Sequence, residues 1–495
     1  MISPRSERSP SPQPPVDPPV WTWLRSRLDG RLLLADQAGF ASAAAVFNAA
    51  LDPRPAAVAR CARAADVAAC LDVAHRAGLP IAARSGGHSY PGYSSPDGGL
   101  VIDMRMLAAV VVREDGTAVV GGGARLIDVY VALAAAGRAV PAGSCPSVGV
   151  AGLLLGGGIG VLARAYGLTC DRLVAATVVT GAGSRVETSA EREPELFWAL
   201  RGGGGGTAGV VTEFVLRTEP APELIVFELC FPPGSVAAVL SAWQDWAPGA
   251  PDELWSNCVI SSGLPPWARV SGCFIGPPDA TVPLLDGLVR AVGTRPTSRS
   301  MAAKSYLGAM RYFAGCSQRS ITASRPREEG GELEHIAFRA SSRMLTTPLD
   351  TADLDRVVGL VTDVPGLDLL IDALGGAVGR VPANATAFPH RAALACIQVY
   401  QGGHCDTRVR AVESGLATIL GTGAYVNYLD PGQRDWGTAY FGANLPRLRA
   451  AAAAYDPDRV LDFPQNVQRS GPAPQRPPKR LQQRRRGPLR PILTA

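Results

Sequence analysis

Glycine placement constrains this chain more than any other feature. Five consecutive glycines, Gly202 to Gly206, follow the helical pattern Glu195-Leu196-Phe197-Trp198-Ala199-Leu200-Arg201 and precede the strand-like Gly209-Val210-Val211-Thr212. Such a run sustains neither helix nor strand, because glycine loses the most conformational freedom on ordering and offers no side chain to pack. Three more glycine groups precede it: Arg84-Ser85-Gly86-Gly87-His88-Ser89-Tyr90, the stretch from Pro141-Ala142-Gly143-Ser144-Cys145-Pro146-Ser147-Val148-Gly149 to Gly152, and Gly156-Gly157-Gly158-Ile159-Gly160. Loops of this kind let backbone approach a ligand closely and offer their N–H groups to a phosphate.

Between the loops, hydrophobic periodicity predicts a helical stretch over 56–78 and short strands at Ile81–Ala83 and Leu100–Asp103. Two hairpins are predicted, one joining Val110–Val112 to Ala118–Val120 around Asp115-Gly116, the other joining Val174–Thr180 to Arg185–Thr188. The strand-like Val210–Arg217 closes the segment at Pro220. Glycine density then falls, and runs at Leu224–Phe231, Ala268–Ile275, His335–Arg343, Leu367–Ala373 and Ala393–Tyr400 alternate with helical segments. The expected fold class is α+β, with the second half an antiparallel sheet covered by helices on one face.

Both ends are expected to be disordered: 1–20 is rich in Ser and Pro, and 468–495 in Pro, Gln and Arg. The expected divisions between them are a glycine-rich first domain over 21–222, a second domain of sheet and helices over 223–424 and a closing segment over 425–467. Seven basic residues, Arg476, Lys479, Arg480, Arg484, Arg485, Arg486 and Arg490, account for more than the whole net charge of +5, leaving about −2 on the rest. A nucleic-acid partner is therefore not expected. The ten cysteines form no CxxC pair, which argues against a disulfide framework or a metal cluster. No apolar run reaches the roughly 18 residues of a membrane span, and the N-terminus lacks a signal-peptide core, so a cytoplasmic location is expected.

Taken singly, each motif has a plain structural reading. His88 suits an ordinary glycine turn, Cys145 a buried small residue, and the glycine runs close packing. A nicotinamide dehydrogenase would use Gly156–Gly160 or Gly202–Gly206 as its phosphate loop, but neither is followed about 20 residues on by a well-placed acid within a βαβ unit. A non-catalytic binding protein leaves His88, Cys145 and Tyr428 unexplained.

Together and in this order, with Tyr425-Val426-Asn427-Tyr428-Leu429-Asp430 and Phe463-Pro464-Gln465-Asn466 near the end, the motifs make the chain resemble the bacterial berberine bridge enzyme-like oxidases of the vanillyl-alcohol oxidase superfamily over residues 38–467. The resemblance implies a PCMH-type, two-lobed FAD-binding domain with FAD bonded covalently to His88, through the flavin 8α-methyl, and to Cys145, through flavin C6. The two positions lie 57 residues apart. It implies cofactor contacts from Arg84, Ser85, Gly86, Gly87, Ser89, Gly143, Val148, Gly149, Gly152, Gly157, Gly160, Gly209, Val211, Tyr425 and Asn427. Two such bonds withdraw electron density and fix the ring, which in this family accompanies a high flavin potential and an open substrate cleft.

By the same resemblance Tyr428 is the expected base, Asp372 its partner and Gln398 a residue facing the substrate. A phenol with pKa near 10 must be acidified or relayed to act at neutral pH. Strand alternation puts Cys396, Gln398 and Tyr400 on one face. Cys396 stands where plant ring-closing members carry a glutamate, which disfavours oxidative cyclisation and favours alcohol oxidation. Thr207-Ala208 departs from the family's common Asn-Phe. Val148 occupies a position that is often valine in oxidases and leucine in dehydrogenases, so O2 is the expected acceptor and hydrogen peroxide the product. The expected substrate is a sugar or oligosaccharide, or a hydroxylated specialised metabolite; a flavin dehydrogenase or a cyclising enzyme is the alternative. Trp243, Trp246 and Trp255 are candidates for stacking on sugars, or else core residues.

Overall fold

A computed structural model of the chain describes residues 18–403 and 407–470. Most of both expected tails lies outside the described residues. The helix Pro18–Arg25 runs into the first expected tail, with Trp21 and Leu24 buried, and the short turn Val467–Arg469 runs into the second.

The first lobe holds two sheets. In the four-stranded one, Arg31–Leu34, Ala57–Arg60, Leu100–Asp103 and Ile81–Arg84 lie in that order, the last three parallel. Parallel strands are covered on both faces, and every residue of Leu100–Asp103 is buried. The expected helix over 56–78 is corrected here: the strand Ala57–Arg60 comes first and the helix Ala64–Ala77 follows. Short apolar runs carry no periodicity that separates strand from helix. The second sheet is antiparallel and contains both expected hairpins, with Gly209–Arg217 between Thr117–Gly121 and Leu173–Thr180.

The third sheet has seven antiparallel strands in the order Ser298–Ser305, Glu223–Cys230, Trp267–Phe274, Leu254–Ser261, Leu367–Ala373, Ala395–Gly402 and Phe338–Leu345. Two of these went unread in the sequence. Leu254–Ser261 sits in the middle of the sheet, and Ser298–Ser305 is a polar edge strand whose exposed Arg299 discourages further pairing.

Alternation along the strands separates two chemistries. Phe227, Leu229, Cys258, Ile260, Leu369, Ile371, Ile397 and Val399 pack with the helices Val236–Gly249, Pro278–Val292, Thr351–Val361 and Arg408–Leu420. Each fully buried aliphatic side chain contributes about 1.5–3 kcal/mol. Their neighbours Glu228, Asn257, Ser271, Asp372, Gln398 and Tyr400 point the other way, into a cleft shared with the glycine loops. The C-terminal segment closes the first lobe from the side: the helices Trp436–Phe441 and Leu445–Tyr455 pack around Trp198 and Ala199. Among the described residues, no helix is long and apolar enough to cross a membrane.

Candidate flavin site and catalytic cleft

The glycine loops and the polar face of the seven-stranded sheet enclose a cleft of about 850 Å³. At its centre, the loop bearing His88 and the loop bearing Cys145 touch backbone to backbone. A Cβ on Gly86 would lie 2.1 Å from the Gly149 nitrogen, and one on Gly149 would lie 2.2 Å from the Gly86 nitrogen. No other residue fits at either position.

One hydroxyl links the two candidate anchors. Ser147 Oγ lies 3.0 Å from His88 Nε2 and 3.6 Å from Cys145 Sγ. The His88 ring stacks on Phe47 with centroids 3.9 Å apart. Burial, helped by the charges of Arg125 and His335, lowers the imidazole to about 3, so His88 is neutral at working pH. Burial raises the Cys145 thiol, opposed by hydrogen bonds from Ser147.

Tyr425 and Asn427 hold the third glycine loop. The N–H groups of Gly158 and Ile159 donate to Tyr425 Oη at 2.9 and 3.2 Å, and Asn427 Nδ2 donates to the Leu153 carbonyl at 2.8 Å. Both side chains also line the cleft. Tyr428 is half-buried, stacked on Tyr90 and edge-on to Tyr425. Gln398 Nε2 donates to Tyr90 Oη at 2.6 Å.

Across the sheet, register aligns Ser271, Asn257, Asp372 and Cys396 in one row. Burial pushes the Asp372 carboxyl up to about 7, against a lowering hydrogen bond from Asn257. Burial raises the Tyr428 phenol well above its ordinary value, with Tyr90, Asp372, Cys396 and Tyr425 adding to the shift. The protein therefore does not acidify Tyr428, and the same cleft holds an aspartate whose carboxyl is raised toward neutrality.

All but two of the residues expected at the site line this cleft. The first exception is Arg84, which is buried and turned away: its guanidinium donates to the carbonyls of Ala43, Ala44 and Ala45 and pairs with Asp103 at 3.2 Å. The second is Gly157, which faces Phe388 and Leu168 at a φ of 124° and serves the packing of its loop. Trp243 and Trp246 are core residues, donating to Ser256 Oγ and the Leu284 carbonyl, and Trp255 alone of the three reaches the cleft. Sequence reasoning missed the part played by Ser147, although it lies two residues after Cys145, and missed Phe47, Tyr312, Phe313 and Phe338, which carry no local motif.

The residues present suit FAD. Gly152 borders the cleft, and a Cβ there would meet nothing within 4 Å, so this wall is left bare for a ligand. Ser94 Oγ, Trp255 Nε1 and Gln465 Oε1 are buried at the cleft without a hydrogen-bond partner, as groups awaiting a polar ligand are.

A two-lobed fold with glycine loops around such a cleft defines an FAD-linked oxidoreductase, and residues 55–189 match the FAD binding domain family. Residues 424–468 match the family described as berberine and berberine like. The FAD-linked oxidoreductase YgaK of Bacillus subtilis is 31% identical over 457 residues, covering 90% of this chain and 98% of its own length. Among solved structures, Physcomitrella patens BBE-like 1 superposes with a TM-score of 0.84 at 26% identity, covering 90% of this chain and 98% of that one. Glucooligosaccharide oxidase from Acremonium strictum, described as carrying a 6-S-cysteinyl, 8α-N1-histidyl FAD, superposes at 0.80 with 28% identity, covering 89% and 97%. The chain belongs to the berberine bridge enzyme-like family of FAD-linked oxidases.

Proposed function

We propose that this oxidase carries its FAD on two covalent bonds, at His88 Nδ1 and Cys145 Sγ, and oxidises a hydroxyl of a sugar or oligosaccharide. The observation that carries the reading is the Ser147 hydroxyl between the two anchors: it engages His88 Nε2 at 3.0 Å, which leaves Nδ1 as the ring nitrogen for attachment. That is the nitrogen named for glucooligosaccharide oxidase. The bound flavin supplies the two-electron chemistry, accepting the substrate's hydride and passing the electrons to O2, which leaves as hydrogen peroxide.

The chain's own residues manage the proton. As the hydride leaves, the substrate hydroxyl gives its proton to Tyr428 Oη, and Tyr428 passes its own to Asp372. A carboxyl poised at about 7 accepts a proton from a phenol more readily than an ordinary aspartate does. Gln398 and Tyr90 orient the substrate beside this pair. Cys396 is buried, and burial raises its thiol, so it is no substitute for the carboxylate base of a ring-closing enzyme.

A polar row at Ser271, Asn257 and Asp372 with Tyr312, Phe313, Trp255 and Tyr400 around it suits a polyhydroxylated ring, which presents hydroxyls at its edge and C–H groups on its face. The same aromatic lining favours hydroxylated specialised metabolites as the second substrate class. The first domain is assigned to 21–222, the substrate domain to 223–424 and the returning segment to 425–467. Peroxide release across a panel of mono- and oligosaccharides and hydroxylated aromatic compounds tests the reading. Turnover with the saccharides is expected, and peroxide from none of the panel contradicts alcohol oxidation.

A further inference from the structure

Arg125 has no place in the chemistry above, yet it sits where the two anchor-bearing loops meet. It lies directly before the helix Leu126–Ala135 and is 4% exposed. One guanidinium nitrogen, Nη1, donates both to the Gly86 carbonyl at 2.7 Å and to the Ser147 carbonyl at 2.6 Å. Gly86 is two residues before His88, and Ser147 is two residues after Cys145. The other two nitrogens, Nε and Nη2, grip both oxygens of Glu329.

Glu329 belongs to the short turn Arg327–Glu329, between the helix Tyr306–Phe313 and the strand Phe338–Leu345 of the third sheet, and it also pairs with Arg105 at 3.3 Å. Arg105 in turn binds Asp103. A planar guanidinium fixed on both sides in this way is a rigid spacer, which a lysine at the same position reproduces only in part.

We infer that Arg125 is a positioning residue for covalent flavin attachment: it staples the His88 loop to the Cys145 loop, and Glu329 holds the staple from the other half of the chain. The inference rests on the two-bond reading above. Each bond forms as the anchor loses its proton, from His88 nitrogen or Cys145 sulfur, and the flavin carbon loses a hydrogen. The two protons and two electrons released pass to O2, giving one hydrogen peroxide per bond. Both anchors must reach their carbons on one rigid ring, so the separation of the loops decides whether the second bond can close. A misplacement of about 1 Å costs on the order of a hundredfold in rate for such a step.

The staple also brings substrate-side residues under the His88 loop. In the same turn region, His335 pairs with Glu328 at 3.1 Å, and Asn48, next to Phe47, donates to the Phe338 carbonyl. Flavin attachment is thereby coupled to correct docking of the 325–338 segment.

The test is the share of chains carrying FAD through one bond, two bonds or none, read by acid denaturation and by mapping the His88 and Cys145 peptides. Replacing one partner strands a buried charge, so the informative variant is the double Arg125→Met/Glu329→Met, which replaces the pair with apolar side chains of similar length. It is expected to fold with a melting temperature near the parent's and to bind FAD, but to lose the two-bond species at least tenfold. Arg125→Lys is expected to recover part of that species. A double variant with the parent's proportion of two-bond flavin overturns the inference. Should the double variant fail to fold, Glu329→Gln and Arg125→Lys decide in the same way, since two-bond flavin at the parent's level in both overturns it. A parent protein that releases all its flavin overturns the two-bond reading itself, and this inference with it.

Discussion

The rings of Tyr428 and Tyr90 lie parallel, with centroids 5.4 Å apart and 7° between their planes. The hydroxyl of Tyr90 is held by Gln398, so the stack fixes Tyr428 against the polar face of the seven-stranded sheet. Removing only the Tyr428 hydroxyl leaves this packing intact. Tyr428→Phe is therefore expected to keep its flavin and lower flavin reduction by about 10²–10⁴-fold. Stopped-flow absorbance under anaerobic conditions measures this, and near-normal reduction removes Tyr428 from the proton path.

The Asp372 carboxyl, raised by burial to about 7, gives the reaction a pH signature. It must be ionised to receive the proton, so kcat/KM is expected to fall as pH drops through about 7, and Asp372→Asn is expected to flatten that limb at a low rate. The same group affects stability with the opposite sense. Because the folded state favours the protonated acid, ionisation opposes folding: the cost is absent below about pH 4, grows as pH rises and is complete above about 7. Thermal melts of Asp372→Asn are expected to match the parent near pH 4 and to exceed it at pH 8, by on the order of 1–4 kcal/mol. Equal differences at both pH values contradict the raised carboxyl.

Val148 lines the cleft between Cys145 and Gly149. Val148→Leu adds one methylene to that wall and is expected to slow the reaction of reduced enzyme with air while leaving anaerobic reduction by substrate unchanged. Reoxidation at the parent's rate rules out this residue as the control on O2 access.

Gly86 is required by contact rather than by a turn. Gly86→Ala puts a methyl into the Gly149 backbone and is expected to cost about 3 kcal/mol or more in denaturant melts. A variant as stable as the parent means the two loops are free to separate.

Much of this site was readable because glycine loops leave a signature that packing does not overwrite. The two hairpins followed from turn residues, and His88, Cys145 and Tyr428 from motifs. Arg84 belongs to the same motif as His88, yet its guanidinium is consumed by Asp103 and three carbonyls, and no spacing rule states which way a long side chain turns. The strand Ala57–Arg60 reads as the start of a helix because three small or apolar residues and an arginine before a helical run carry no period of their own. Arg125 and Glu329 meet across 204 positions, and Phe47 reaches His88 from an earlier loop. Such contacts depend on how lobes dock, which composition and periodicity do not encode.

The flavin is expected to be fastened at both anchors that Ser147 joins. Denaturing the purified protein in acid and mapping its peptides by mass tests this directly. The expected result is that the yellow colour and the mass of one FAD stay with the chain, linking the peptide containing His88 to the one containing Cys145. Colourless precipitate with all FAD in the supernatant, or FAD attached at neither residue, contradicts it.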